Sequence, residues 1–260
     1  MNQILTDDLE DIAVGAGELV LENGGETYRA EDTVVHVAQA LGAKNSSAFV
    51  TPTVIVLSHE DAEGRHHTYM RRIFKRTTNL AKLSQANDLS RRLDNRKKSS
   101  EPHLVKNILH RIDSLSGYSD SLIIFMAALS SALFTLMFNG TYKDAAFSFI
   151  SGGILRIILI LVSMTRLGQD SFMMSLLSGM VLSICADFCS LLPLGINTNL
   201  VLLGSIMQVV PGLALVNGIR DITHGDLVSG GARLLDAIMT AIGLSAGSAF
   251  GVIVRKLFAI

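Results

Sequence analysis

The sequence predicts a mainly α membrane protein, with about five transmembrane helices preceded by a small cytoplasmic α/β domain. Three observations carry that expectation. Charge is segregated: residues 1–120 are densely charged, whereas residues 121–260 hold only Lys143, Asp144, Arg156, Arg166, Asp170, Asp187, Arg220, Asp221, Asp226, Arg233, Asp236, Arg255 and Lys256. The whole chain is 49% hydrophobic and 17% charged with mean hydropathy +0.42, too apolar for an ordinary soluble domain. Finally, the second half contains five apolar segments close to the roughly 20 residues that a spanning helix requires. Residues 1–118 are therefore assigned to the cytoplasmic domain and 119–260 to the membrane domain.

In the first domain, Leu9, Ile12, Ala16, Leu19 and Val20 follow helical spacing from an N-cap at Thr6 to a stop at Asn23-Gly24-Gly25. A second helix is predicted from about Tyr28, with Val34, Val37, Ala38 and Leu41 on one face and Gly42 at its end. SSAFVTPTVIVLS, residues 46–58, is rich in β-branched residues and reads as one strand, with Pro52 marking an edge or a bulge. A turn at SHEDAEG leads to a second strand over 65–74, followed by helices over 79–95 and 102–115.

The expected spans are 121–138, 145–164, 172–192, 199–216 and 235–258, joined by short connections. With the N-terminal half in the cytoplasm, Lys106, Arg111, Arg166, Arg220 and Arg233 face inside, against Lys143, Arg255 and Lys256 outside. An odd number of spans puts the two chain ends on opposite sides. A second five-helix unit of the same fold would then insert inverted, a recurring transporter architecture, and a partner chain would have to supply it. Gly243, Gly247 and Gly251 form a small-residue ridge at four-residue spacing, which suits close helix packing. Arg156 and Asp187 each cost roughly 3 kcal/mol inside hydrocarbon and are expected to face the bundle interior. They pair with each other, reach a surface, or serve a substrate or proton.

Several kinds of chemistry are disfavoured. Cys185 and Cys189 lie in an apolar run, which indicates neither a disulfide nor a zinc site. His59, His66 and His67 flank the expected hairpin, are predicted to be exposed, and have no companion ligand at metal-binding spacing. The basic residues Arg65, Arg71, Arg72, Lys75, Arg76, Arg91, Arg92, Arg96, Lys97 and Lys98 suit anionic lipid headgroups or a solvated face better than nucleic acid. No Gly-x-Ser-x-Gly or His-Glu-x-x-His motif is present, so no catalytic residue, cofactor or metal is assigned. In NGGETYRAED, Gly24, Gly25, Glu26 and Arg29 read either as a helix corner whose acids complement a dipole or as a cytoplasmic gating or substrate contact.

The residues 209–233, VVPGLALVNGIRDITHGDLVSGGAR, combine an apolar start, a helix-breaking Pro211-Gly212 pair and a charged exit. A broken membrane helix presents free backbone polar groups, tolerated at depth only where protein or water covers them. The stretch resembles the Val-Pro-Gly, Asn, Asp, Gly-Asp/His and Ser/Thr-Gly pattern of the threonine/serine exporter family. GELVLENGGETYRAEDTVVHVAQALGA and VTPTVIVLS also resemble that family, so the likeness covers most of the chain. The length and span number are similar to its short, two-component branch, in which a second small membrane subunit completes the transporter and some members export succinate.

The resemblance implies export of a small polar metabolite, an amino acid or a dicarboxylate, across the bacterial inner membrane, with the N-terminus cytoplasmic and the proton gradient as driving force. By the same resemblance, Pro211, Gly212, Asn217, Arg220, Asp221, Asp226 and Gly230 match family positions and are candidates for the substrate pathway, joined by Arg156 and Asp187. Two rival expectations remain open: a membrane-anchored sensor or scaffold, and an intramembrane hydrolase built on Asp187.

Overall fold

The computed structural model describes residues 2–75, 77–94, 101–165, 168, 170–190, 193 and 195–258. Arg76, Arg96, Lys97 and Lys98 of the basic run, and Arg166 of the topology argument, lie outside the described residues. The chain divides into two compact units, one formed by Met1–Gly117 with Leu213–Leu234, the other by Tyr118–Gly212 with Leu235–Ile260.

The first unit begins with α1 (Asn2–Glu22) and α2 (Thr27–Ala40). The stop between them works as its sequence suggests: Gly24 adopts φ +91°, a left-handed conformation that suits glycine, and Gly25 donates to the Val20 carbonyl at 2.8 Å. Gly17 lets the two helices meet closely, since a Cβ there would lie 2.4 Å from the Val34 side chain. Three antiparallel strands follow in spatial order β1-β2-β3: β1 (Lys44–Thr51), β2 (Val54–Glu60) and β3 (His66–Arg72). The single strand expected over 46–58 is thus a hairpin. Pro52 has no N–H to give a ladder, and the Thr51 hydroxyl accepts from the Val54 N–H at 3.2 Å, so the chain reverses there and Thr51 pairs with Val54.

Alternation along β2 buries Ile55, Leu57 and His59 against the helices. Their core is shared with Ile12, Val14 and Val20 of α1 and Val34 and Val37 of α2. Helices α3 (Leu80–Asp94) and α4 (Pro102–Asp113) add Leu83, Leu89, Val105 and Leu109. His59 is only 2% exposed and its Nε2 lies 3.0 Å from a Glu10 carboxylate oxygen, which corrects the expectation that it would be exposed. Period-two alternation turns it inward.

The second unit holds α5 (Asp120–Met137), α6 (Tyr142–Ser163), α7 (Ser171–Ser190) and α8 (Thr198–Ile206). Two further helices, α9 (Gly212–Thr223) and α10 (Leu227–Phe258), each contribute residues to both units. Among the described residues, four helices are long and apolar enough to cross a membrane: Asp120–Met137, Tyr142–Ser163, Ser171–Cys189 and Leu227–Ile253. The fourth expected span, 199–216, is instead two short helices separated at 207–211, neither approaching the length a span needs. Pro211 removes the backbone donor that a continuing helix would use there. The last span begins earlier than expected, because the helix starts at Leu227 and runs through Gly230-Gly231 without a proline to stop it.

A seam of small polar residues runs through the second unit. The Thr135 hydroxyl donates to Ser148 Oγ at 2.5 Å, Ser148 donates to the Val201 carbonyl at 3.3 Å, and Gln208 donates to Ser131 Oγ at 3.2 Å and to the Gly152 carbonyl at 3.4 Å. Gly152 and Gly204 allow this approach, since a Cβ on either would lie within 2.2 Å of the hydroxyl oxygen of Ser131 or Thr135. Hydroxyls that satisfy one another and small residues that let backbones approach are the main attractions available between helices in lipid. Asp144, almost wholly buried, closes a capping box with Thr141 and also accepts the Asn197 N–H at 2.7 Å.

Candidate functional site at the α9–α10 hairpin

The candidate site lies within the first unit, where α9 and the start of α10 meet the α1–α2 corner. Two groups of residues singled out separately in the sequence are neighbours here. Pro211 and Gly212 mark the start of α9, with the Gly212 N–H donating to the Val210 carbonyl at 2.8 Å in a tight turn. After one helix of 12 residues the chain reverses at Gly225, with φ +97°, and enters α10. Gly218 and Gly230 form the crossing point: a Cβ on Gly230 would lie 2.6 Å from the Gly218 carbonyl oxygen, and one on Gly218 would lie 3.2 Å from the Gly230 carbonyl oxygen.

This crossing presents one face of the hairpin to Gly24-Gly25-Glu26-Thr27. The buried Asn217 donates through Nδ2 to the Gly24 carbonyl at 2.9 Å. Arg233 donates to the Gly25 carbonyl at 2.7 Å. Asp221 has no solvent-exposed surface; its Oδ1 accepts the Thr27 N–H at 3.1 Å, its Oδ2 accepts the Thr27 hydroxyl at 2.9 Å, and Arg233 Nε lies 3.0 Å from Oδ2. The N-cap position of α2 is Glu26, whose own side chain makes no cap bond, so Asp221 supplies the cap from a distant part of the chain. Glu26 is buried between two guanidinium groups, Arg29 Nε at 3.1 Å and Arg220 Nη1 in a short contact. The Tyr28 and His224 rings stack with centroids 4.3 Å apart.

A second layer of acids sits beside this latch. Glu31 Oε1 accepts the Val50 N–H at 3.0 Å and Ser229 Oγ donates to the Val50 carbonyl at 3.2 Å, so both backbone polar groups of Val50, on the edge strand β1, are satisfied. Burial raises the Glu31 carboxyl above its ordinary value, partly offset by the Val50 hydrogen bond, with Asp226, Asp32 and Asp221 adding repulsion. Burial also raises Asp226, reinforced by Asp221 and opposed by His224.

The arrangement therefore joins Gly24, Gly25, Glu26 and Arg29 to Asn217, Arg220 and Asp221, with Asp226 and Gly230 close behind. Arg156 and Asp187 are half-buried on α6 and α7 of the second unit, and Arg156 Nε is buried with no hydrogen-bond partner among the described residues. Gly243, Gly247 and Gly251 face α7: a Cβ on each would approach Phe172 and Ser175, the Leu176 carbonyl, or Ser183 respectively. Sequence reasoning missed Thr27, Arg233, Tyr28 and His224. The available signal was the position of Thr27 at the helix start directly after Glu26, and the excess of acids over bases in 217–226 that Arg233 helps to balance.

A family profile described as "Putative threonine/serine exporter" matches residues 11–254. The chain is similar to the "Probable succinate transporter subunit YjjP" of Escherichia coli (strain K12), 22% identical over 247 residues that cover 91% of this chain and 90% of that one. It is also similar to the "Probable threonine/serine exporter" of Mycobacterium tuberculosis, 23% identical over 242 residues covering 91% of this chain but 44% of the relative, about half its length. No solved structure matches. The family is one of transporters, several helices here are long and apolar enough to cross a bilayer, and the profile spans nearly the whole chain: the protein is a multi-pass membrane protein belonging to the threonine/serine exporter family.

Proposed function

We propose that the chain is one subunit of a secondary transporter that exports a small polar metabolite, threonine or serine or a dicarboxylate such as succinate, across the bacterial inner membrane. A second small membrane subunit completes the pathway, and the N-terminal half faces the cytoplasm. The observation that carries this reading is the latch: directly after a broken helix, buried Asn217 and Asp221 together with half-buried Arg233 hold the carbonyls of Gly24 and Gly25 and the first turn of α2. Apart from the Asp221–Arg233 pair, each bond in it joins a polar group of the hairpin to a polar group of the corner. A substrate carrying a carboxylate and an ammonium offers the same kinds of acceptor and donor and can exchange for the latch, whereas a dicarboxylate offers acceptors alone, to Asn217, Arg233 and Thr27.

Pro211 and Gly212 supply the hinge, Arg220 and Glu26 a second ion pair to be broken and remade, and Asp226 and Glu31 the protonatable acids nearby. Arg156 and Asp187 belong to the membrane part of the route.

The test is efflux of radiolabelled threonine, serine or succinate from proteoliposomes under an imposed pH gradient, with this chain alone and together with its partner. Efflux that needs both subunits and is lost in Asp226→Asn and Arg220→Ala supports the proposal. Absence of efflux for all three solutes with both subunits present would refute it. The YjjP relative is named a subunit, and it aligns over nearly its full length, which favours the two-component form over a self-sufficient chain.

A further inference from the structure

A cleft of about 280 Å³ opens in the first unit between α1, β3 and α4, lined by none of the latch residues. Its apolar floor is made by Ile12, Leu19 and Leu109. Gly15 keeps that floor low: a Cβ there would lie 3.6 Å from an Arg71 guanidinium nitrogen, so any longer side chain would enter the space. The walls carry both signs of charge, four carboxylates facing Arg71, Lys75 and Lys106, with the His110 imidazole beside them.

Most of these charges are already paired. Arg71 is held by Glu18 at 3.0 Å, by Asp11 and by the Tyr69 hydroxyl at 2.9 Å. Lys106 lies 3.4 Å from Asp8 and 4.0 Å from Asp11, and Asp113 takes Lys82 at 3.1 Å. Glu22 and Lys75 are the exceptions. They influence each other electrostatically, but among the described residues neither charged end makes a hydrogen bond or an ion pair within 4.0 Å. Burial, with Glu18 and Asp113 beside it, pushes the Glu22 carboxyl up, against the opposing pull of Lys75 and Lys82. A carboxylate in that setting gains from an added cation, and the Lys75 ammonium gains from an added anion.

We propose that this cleft binds a small zwitterion of the α-amino-acid type, its ammonium on Glu22 and its carboxylate on Lys75. A free cation would satisfy Glu22 and leave Lys75 unmatched, and a dicarboxylate would meet Glu22 with like charge. A small zwitterion answers both ends at once, and its side chain lies over the Ile12–Leu19–Leu109 floor. The site is separate from the latch, and the inference does not depend on which solute is transported.

Equilibrium dialysis of the full-length protein in detergent with radiolabelled L-serine tests it, with L-lactate and ethanolamine as competitors lacking the ammonium and the carboxylate respectively. Binding is expected with a dissociation constant of about 1 mM or tighter. Glu22→Gln and Lys75→Gln should each weaken it about tenfold, and Gly15→Leu should abolish it by filling the floor. Unlabelled serine should displace the label at least about tenfold better than either competitor. No binding up to about 10 mM, equal displacement by lactate or ethanolamine, or full binding in both Glu22→Gln and Lys75→Gln overturns the proposal. Loss of binding in Asn217→Ala with the cleft variants unaffected would place serine at the latch and likewise refute a cleft site.

Discussion

Replacing Asp221 by Asn is the sharpest probe of the latch. The carboxylate accepts the Thr27 N–H and hydroxyl and faces Arg233 Nε at 3.0 Å, and no part of it touches solvent. In Asn, one oxygen becomes an NH2 donor. The Thr27 hydroxyl can rotate and accept from it, but Arg233 Nε has only donors to offer. The substitution therefore removes the ion pair and the negative charge at the α2 N-terminus while keeping the side-chain volume. Breaking one partner of a buried pair costs about 3–5 kcal/mol. Arg233 retains its bond to the Gly25 carbonyl and its side chain is 14% exposed, so the lower end of that range, about 3 kcal/mol, applies.

If the latch opens locally, amide exchange around Thr27 should accelerate about 100-fold, read by hydrogen exchange and mass spectrometry on peptides covering residues 20–40. Arg233→Met alone and with Asp221→Asn closes a double-mutant cycle whose coupling should exceed about 1 kcal/mol. Exchange within about threefold of wild type, or strict additivity of the two changes, would falsify the ion-pair account.

Two further outcomes are expected. Gly247→Ala places a Cβ 1.9 Å from the Leu176 carbonyl oxygen and 3.0 Å from the Met180 nitrogen, backbone atoms that cannot rotate away, and should cost about 1–3 kcal/mol; Gly231→Ala meets nothing within 4 Å and should be neutral or stabilising. Thermal unfolding of the two variants in the same detergent makes the comparison. Glu31 and Asp226 hold their protons more tightly folded than unfolded, so their stabilising contribution is complete below the ordinary values of 4.5 and 3.8 and is lost as pH rises through the raised ones. Glu31→Gln escapes that loss, and its stability relative to wild type, from urea midpoints, should increase between about pH 4 and pH 7; a constant or falling difference would contradict the shift.

Local signals were the legible part of this sequence. Asn23-Gly24-Gly25 ends α1 within a residue or two of its predicted stop, and Pro211 breaks the fourth apolar segment where a missing N–H must. Both effects act within a few residues along the backbone. Pro52 was harder to read, since the same missing donor suits an edge, a bulge or a turn, and the pairing of Thr51 with Val54 decided for a turn. His59 stands among exposed histidines in the sequence, yet its strand parity turns it inward onto Glu10.

The latch itself was out of reach. Its two sides were each suspected, but Asp221 and Thr27 meet only through tertiary folding, and no periodicity links positions 194 residues apart. The hydroxyl seam of Ser131, Thr135, Ser148 and Ser205 was hidden for another reason: scattered Ser and Thr barely interrupt an apolar run, so they read as filler until helix packing lines them up.

The cap that Asp221 places on α2 has a consequence for biogenesis. A ribosome adding about 5–20 residues per second needs roughly 10–40 s to get from Thr27 to Asp221. Throughout that interval the first turn of α2 has emerged without its cap, while the apolar helices in between are being made and inserted. A fragment ending at Gly117 never acquires it, because Leu213–Leu234 of its own compact unit is missing. The nascent N-terminal half is thus a folding intermediate by construction, one that late-synthesised residues complete, and chaperone occupancy on arrested chains should fall only once Asp221 and Arg233 have left the exit tunnel.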